Sequence, residues 1–137
     1  MAQPDEATGT DQVGVDAGLS RNGGLSYVHI PAVDARRSAV FYETVFGWDV
    51  HGHDTARPGF TDGTGHVGGA WMTNQAVSRE PGLLPYIYVD DIQATIAAIE
   101  ANAGEIVDAV YPEGNLLIAT FRDPAGNVMG VWQETAT

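Results

Sequence analysis

The 137-residue chain has 18 acidic and six basic side chains, so its net charge of −12 argues against nucleic acid or an anionic membrane as a partner. It contains no cysteine and no lysine, which excludes disulfides, thiolate chemistry, zinc–thiolate sites, Schiff-base catalysis and P-loop phosphate binding. With 44% hydrophobic residues it can bury the core of one domain, and no apolar run approaches the roughly 18 residues of a membrane span.

Residues 1–23 predict a flexible N-terminal tail, and residues 24–137 predict a single domain. The tail is rich in glycine, aspartate and threonine and shows no apolar periodicity. It lacks both the basic start and the apolar middle of a signal peptide. We therefore expect a soluble, cytoplasmic protein.

The first predicted module covers about residues 24–78. An alternating run over residues 25–30 predicts a strand. A helix follows over residues 34–47, because Asp34 is a suitable N-cap and Gly47 can adopt the left-handed turn that ends a helix. Short strands complete the module, the last of them at residues 65–71.

The second predicted module covers about residues 84–135 and repeats the first. Residues 85–89 predict its first strand, and a helix follows over residues 91–104 with the same kinds of ends. The strand pattern of residues 65–71, a turn glycine leading to tryptophan, returns at residues 126–132. This internal repeat indicates a pseudo-symmetric fold built around a shared cleft.

Side-chain alternation along the predicted strands separates two faces of each sheet. One face is aliphatic and suits packing against the helices. The other face is aromatic with a few polar groups, which is typical of a ligand cleft, although a sandwich core or a dimer interface has the same composition. The predicted cleft face carries Tyr27, His29, Gly69, Trp71, Tyr86, Tyr88, Gly130, Trp132 and Glu134.

A matched pair of strand glycines, Gly69 and Gly130, stands two residues before each tryptophan. Glycine inside a strand costs about 0.5–1 kcal/mol relative to alanine, so the pair predicts a need for space. That space would serve a ligand or the tryptophan rings. Alternatively, the glycines only bend a strongly curved sheet.

Four segments, residues 27–34, 39–48, 88–92 and 122–128, together resemble the vicinal-oxygen-chelate superfamily of glyoxalases, bleomycin resistance proteins and extradiol dioxygenases. Their Phe-Tyr, Phe-Gly-Trp and Asp-Pro-x-Gly-Asn motifs are characteristic in combination. The resemblance implies an α+β fold in which two βαβββ modules form a curved eight-stranded half-barrel around a cleft. It also implies a homodimer.

The metal-dependent members of that superfamily hold a divalent ion on the first and last strands of each module. The resemblance places Tyr27, Gly69 and Gly130 at three of these positions, with Leu84 or Tyr86 at the fourth. These residues do not form a ligand set for zinc, nickel or iron, so we expect no metal and no cofactor. A separate His-x-His pair, His51 and His53, is a weaker candidate metal site, to which Asp54 and His66 could add ligands.

His29 is the first candidate for catalysis, because imidazole exchanges protons near neutral pH. Alternatively, it only hydrogen-bonds a ligand or a neighbouring tyrosine. Glu134 and Arg122 are the charged residues that could complete a catalytic or ligand-binding site with it.

Three functions remain open from the sequence. The first is a metal-independent binder of an aromatic or cationic metabolite or drug. The second is a metal-free isomerase, cyclase or lyase that uses His29 as general acid or base. The third, a metal-dependent lyase or dioxygenase, has the least support because glycines occupy both carboxylate positions.

Overall fold

The computed structural model describes residues 17–135 and confirms the α+β class with two βαβββ modules. The first module consists of β1 (Tyr27–Pro31), α1 (Ala35–Phe46), β2 (Asp49–His51), β3 (Gly59–Thr61) and β4 (Gly68–Met72). The second consists of β5 (Tyr86–Tyr88), α2 (Ile92–Ala101), β6 (Glu105–Glu113), β7 (Leu116–Arg122) and β8 (Val128–Glu134).

The strands form two open four-stranded sheets, which we name sheet A and sheet B. Sheet A has the order β1-β4-β3-β2 and sheet B the order β5-β8-β7-β6. In each sheet the first strand of the module pairs in parallel with the last, and the other pairings are antiparallel. Strands β1 and β5 therefore lie at sheet edges.

The helices begin where the sequence predicts, because both N-caps form. The Asp34 carboxylate accepts hydrogen bonds from the amides of the first turn of α1, and Gly47 ends that helix at φ 70°. The predicted end of α2 at Gly104 is corrected to Ala101, since Ala103 adopts the left-handed conformation at φ 73°. Gly104 serves close packing instead: a Cβ there would lie 2.5 Å from Ile99 Cγ2.

Helix α1 belongs to the first module but packs against both modules. Its fully buried Tyr42 lies 5.8 Å, between ring centroids, from Trp71 of β4. The neighbouring Phe41 lies 6.0 Å from Phe121 of β7 in the second module. The two modules therefore share one aromatic core rather than having one core each.

The turn between β7 and β8 joins the modules through buried polar groups. Asn127 donates to the Pro31 carbonyl at 2.6 Å and to Asp123 Oδ2 at 2.9 Å, and its Oδ1 accepts from the Ser78 amide at 2.8 Å. The Tyr42 hydroxyl donates to Asp123 Oδ2 at 2.9 Å. Burial, and then the Asp123 carboxylate, raises the pKa of the Tyr42 phenol well above its ordinary value, so the phenol keeps its proton and donates.

Most of the predicted tail, residues 1–16, lies outside the described residues. Residues 17–23 begin with a turn that contacts sheet A: His66 Nδ1 donates to the Gly18 carbonyl at 3.1 Å, and Leu19 packs over Gly68. Among residues 17–135, no helix is long and apolar enough to span a membrane. The expectations of a cytoplasmic location and a homodimer stay predictions.

Candidate functional site

The two modules differ by one residue in how their last strands pair with their first. Tyr27 of β1 pairs with Gly68, and Tyr86 of β5 pairs with Gly130. Two residues further along, His29 pairs with Ala70, whereas Tyr88 pairs with Trp132. The structural counterpart of Trp132 is therefore Ala70, and not Trp71, which the sequence repeat aligns with it.

This one-residue offset corrects the predicted face of Gly69 and Trp71. Trp71 is fully buried in the core, with its ring centroid 4.8 Å from that of Phe60. A Cβ on Gly69 would run into the Val28 carbonyl oxygen and the Phe60 ring, so Gly69 also faces the core. Since neighbouring residues of a strand point to opposite sides, the offset turned Trp71 away from the face that Trp132 occupies.

Sheet B does present the predicted aromatic face. The Tyr86 ring covers Gly130, since a Cβ on that glycine would overlap the ring. The Tyr88 and Trp132 rings meet edge to face with centroids 4.8 Å apart. Tyr86 and Tyr88 are 45% and 48% exposed, so this aromatic surface is open to a ligand. The structure brings these four predicted residues together.

A cleft of about 920 Å³ lies along the free edge of β5, between the two modules. One wall comes from the end of α1, from Trp48 and from the turn after β3, and the other from β5, Trp132 and α2. Phe46 and Trp48 are cleft residues that the sequence did not predict, because only the tertiary structure brings the end of α1 and Trp48 to the cleft wall opposite β5 and α2. The lining comprises Val45, Phe46, Trp48, Asp62, Gly63, Thr64, Tyr86, Ile87, Tyr88, Val89, Asp90, Asp91, Ala94, Thr95, Ala98 and Trp132.

The cleft is acidic, with three aspartates and no arginine in its lining. Asp62 and Asp91 are held by local structure: Asp62 accepts from Thr64 Oγ1 at 2.8 Å, and Asp91 caps α2. The Asp90 carboxylate has no hydrogen-bond or ion-pair partner among residues 17–135. An unneutralised carboxylate beside aromatic rings is a suitable environment for a cation.

On the open face of sheet B, Tyr111 of β6 lies beyond the cleft lining. Loss of hydration, followed by the nearby Tyr86, Glu113 and Asp108, raises the pKa of the Tyr111 phenol. The negative surroundings of this face therefore extend past the cleft. They oppose phenolate formation, as they would oppose a bound anion near these residues.

Tyr27 and His29 lie on the open face of sheet A and do not line the cleft. Their ring centroids are 5.6 Å apart in an edge-to-face contact. Gln75, which the sequence analysis missed, places its Nε2 3.0 Å from His29 Nδ1. This contact orients the imidazole, and His29 Nε2 has no hydrogen-bond or ion-pair partner among residues 17–135.

Arg122 and Glu134 do not join His29. Arg122 belongs to sheet B, where its Nη1 donates to the Arg79 and Gly126 carbonyls, both at 3.4 Å. Glu134 is the exposed last residue of β8. The predicted combination of His29 with either charge is therefore not formed in this structure.

The residues at the metal-binding positions implied by the resemblance do not fit a metal. In the structure, Tyr27 pairs with Gly68 rather than with Gly69, and Tyr86, not Leu84, lies in β5 opposite Gly130. Glycine side chains supply no ligand atom, and two phenols are a poor set for zinc, nickel or iron.

The His-x-His pair separates in the structure. His51 Nε2 lies 3.0 Å from Thr61 Oγ1, while His53 Nε2 lies 3.0 Å from Glu43 Oε2. Gly52, at φ 71°, turns the chain between them. Within residues 17–135, no three His, Cys, Asp or Glu side chains gather where they could hold a metal ion.

Comparison with known proteins agrees with this architecture. The family model described as glyoxalase/bleomycin resistance protein/dioxygenase superfamily matches residues 24–131. The chain belongs to this superfamily. A glyoxylase-like domain-containing protein of Didymella fabae is 29% identical over 119 residues, which cover 80% of this chain and 93% of the relative.

Solved structures of the superfamily share the fold. A family enzyme from Burkholderia phytofirmans has a TM-score of 0.61 at 20% identity, covering 80% of this chain and 97% of that one. A fosfomycin resistance protein from Listeria monocytogenes has a TM-score of 0.68 at 13% identity, covering 84% and 96%. At these identities the likeness establishes the fold alone, and superfamily membership does not fix the ligand.

Proposed function

We propose that this superfamily member is a metal-independent small-molecule-binding protein whose cleft takes a planar aromatic or cationic metabolite or drug. The observation that carries the proposal is the edge-to-face Tyr88–Trp132 pair in the wall of a cleft lined by three aspartates and no basic residue. Aromatic rings supply apolar contact area, and the faces of tyrosine and tryptophan attract cations.

Size and charge also support the proposal. A volume of about 920 Å³ falls within the range of roughly 300–1,000 Å³ that is usual for small-molecule sites. The net charge of −12 would attract a cation from a distance, and this steering would weaken as salt is added. Metal independence is supported by the donor set, since two of its four positions are glycines.

Removing one ring of the pair is the direct test. We expect Trp132→Ala and Tyr88→Ala each to weaken binding of the planar cation thioflavin T about tenfold, because each removes a stacking or cation–π contact of about 1–2 kcal/mol. The measurement is dye fluorescence against protein concentration. The planar anion 8-anilinonaphthalene-1-sulfonate should bind this cleft more weakly than the cation.

Tyr27→Ala is the matched control, since Tyr27 is an exposed tyrosine of sheet A outside the cleft lining. It should leave the dissociation constant for thioflavin T nearly unchanged. Equal losses in all three variants, or tighter binding of the anionic dye in the cleft, would show that the cleft assignment is wrong.

A second candidate function, a metal-free isomerase, cyclase or lyase, is favoured by the Gln75–His29 contact, which orients the imidazole. For a substrate found by screening, His29→Ala should abolish turnover and leave ligand-induced quenching of tryptophan fluorescence nearly intact. Gln75→Ala should lower kcat by about tenfold and shift its pH profile, since it would free the ring to rotate. Unchanged turnover in His29→Ala would exclude the general acid–base role.

A further inference from the structure

Two of the six arginines meet at the turn between β7 and β8. The Ser78 carbonyl accepts from the Val128 amide at 2.9 Å, so the segment linking the modules runs beside the start of β8. The Arg79 guanidinium carbon would lie 3.4 Å from a Cβ built on Gly126. Arg122 Nη1 donates to the Gly126 carbonyl at 3.4 Å. Both guanidinium groups therefore lie beside the same glycine.

Neither charge is neutralised by a well-formed ion pair. Arg122 Nε lies 3.9 Å from Glu105 Oε1, but the Glu105 side chain is 74% exposed, so the pair is weak. Asp123 is 3% exposed and turned inward. Its oxygens accept from three backbone amides of the turn, from Tyr42 and from a neighbouring amide side chain. Arg79 has no ion pair within residues 17–135.

The arrangement is held in place by the backbone. Arg122 Nη1 is oriented by long hydrogen bonds, both of 3.4 Å, to the main-chain carbonyls of Arg79 and Gly126. Gly126 has φ 105°, a conformation that L side chains rarely adopt, so no side chain separates the two arginines at this residue. In a chain with 18 acidic and six basic residues, two adjacent unneutralised guanidinium groups repel each other unless an anion lies between them.

We propose that Arg79 and Arg122 form a binding site for an oxyanion, the phosphate, sulfate or carboxylate group of a small ligand. The planar guanidinium fork matches the oxygens of these groups and binds them through charge-assisted hydrogen bonds. Arg122 pairs with Val128, four residues before Trp132 on β8, which separates the site from the Tyr88–Trp132 pair by roughly 13 Å. The inference goes beyond the proposed function and stands whether or not the aromatic cleft binds a ligand.

Titration with inorganic phosphate, followed by the ¹⁵N–¹H signals of the arginine Nε groups and of the Gly126 amide, tests the site directly. We expect saturable shifts at Arg79, Arg122 and Gly126. Arg79→Gln and Arg122→Gln should each weaken phosphate binding about tenfold, because each removes one charge-assisted hydrogen-bonding partner. Acetate, titrated in parallel, distinguishes a carboxylate-binding site from one that prefers phosphate.

Arg57→Gln is the matched control, since Arg57 is an exposed arginine of the β2–β3 connection. It should bind phosphate as the unchanged protein does. Arg122→Lys, which keeps the charge, should retain more affinity than Arg122→Gln. Equal shifts with sodium chloride at the same ionic strength, or an equal loss in Arg57→Gln, would overturn the proposal. Because Arg79 is exposed, its substitution tests the site without endangering the fold.

Discussion

Replacing Asn127 by alanine is expected to lower the free energy of unfolding by about 3 kcal/mol. The substitution removes the partner of the Pro31 carbonyl and of the Ser78 amide, and one partner of the buried Asp123 carboxylate. Each buried polar group left without a partner costs about 1–3 kcal/mol. The loss is large because Asn127 connects β1, the linker and the β7–β8 turn. Urea unfolding followed by tryptophan fluorescence measures it.

Asn74→Ala is the matched control, since Asn74 is exposed and its side chain makes no hydrogen bond among residues 17–135. It should change the free energy of unfolding by less than about 0.5 kcal/mol. Tyr42→Phe should lower the free energy of unfolding by about 1 kcal/mol, a loss between those of the two asparagine variants, because it removes only the hydroxyl that donates to Asp123. Similar stability of the Asn127→Ala and Asn74→Ala proteins would contradict the role assigned to the turn.

Gly69→Ala should also be strongly destabilising, by about 3 kcal/mol, although it adds a single methyl group. The new Cβ would collide with the Val28 carbonyl oxygen in the neighbouring strand and with the Phe60 ring in the core. A backbone atom cannot rotate away, so β1 and β4 must separate, and overpacking of this kind costs about 1–3 kcal/mol or more. Thermal and urea unfolding of the purified variant would show the loss.

Gly130→Ala provides the comparison, because the sequence repeat aligns this glycine with Gly69. The three heavy atoms nearest its new Cβ would all belong to the ring of Tyr86, a half-exposed side chain that can swing outward. We expect a change in stability below about 1 kcal/mol, together with weaker thioflavin T binding, because the displaced Tyr86 lines the cleft. Equal destabilisation by the two substitutions would refute the assignment of the glycines to opposite faces.

The starts of both helices and the end of α1 could be predicted from the sequence, because the residues that mark them act on their immediate neighbours in the chain. Asp34, Gly47 and Asp91 mark helix ends through hydrogen bonds or backbone conformations that involve only neighbouring residues. The predicted end of α2 was wrong because Gly104 leaves room for the packed Ile99 side chain and is not a left-handed cap, and only the tertiary structure shows that packing.

The faces of β4 could not be predicted, because strand register depends on partners distant in the chain. Trp71 and Trp132 occupy the same place in the sequence repeat, but β4 and β8 pair with their parallel neighbours one residue out of step. Similarly, Trp48 reaches the cleft, and Gln75 reaches His29, only through packing between segments that are distant in the chain. The aromatic face of sheet B was predicted correctly because its alternation and its pairing agree.

The position of α1 bears on how the duplicated chain unfolds. Tyr42 and Phe41 come from the first copy, but Asp123 and Phe121 of the second cover them. Cutting the chain between the copies would expose these rings in the first copy. In the second copy, the buried Asp123 carboxylate would lose the hydroxyl that donates to it. We therefore expect the molecule to unfold as a single cooperative unit despite its internal symmetry, and neither copy to fold without the other.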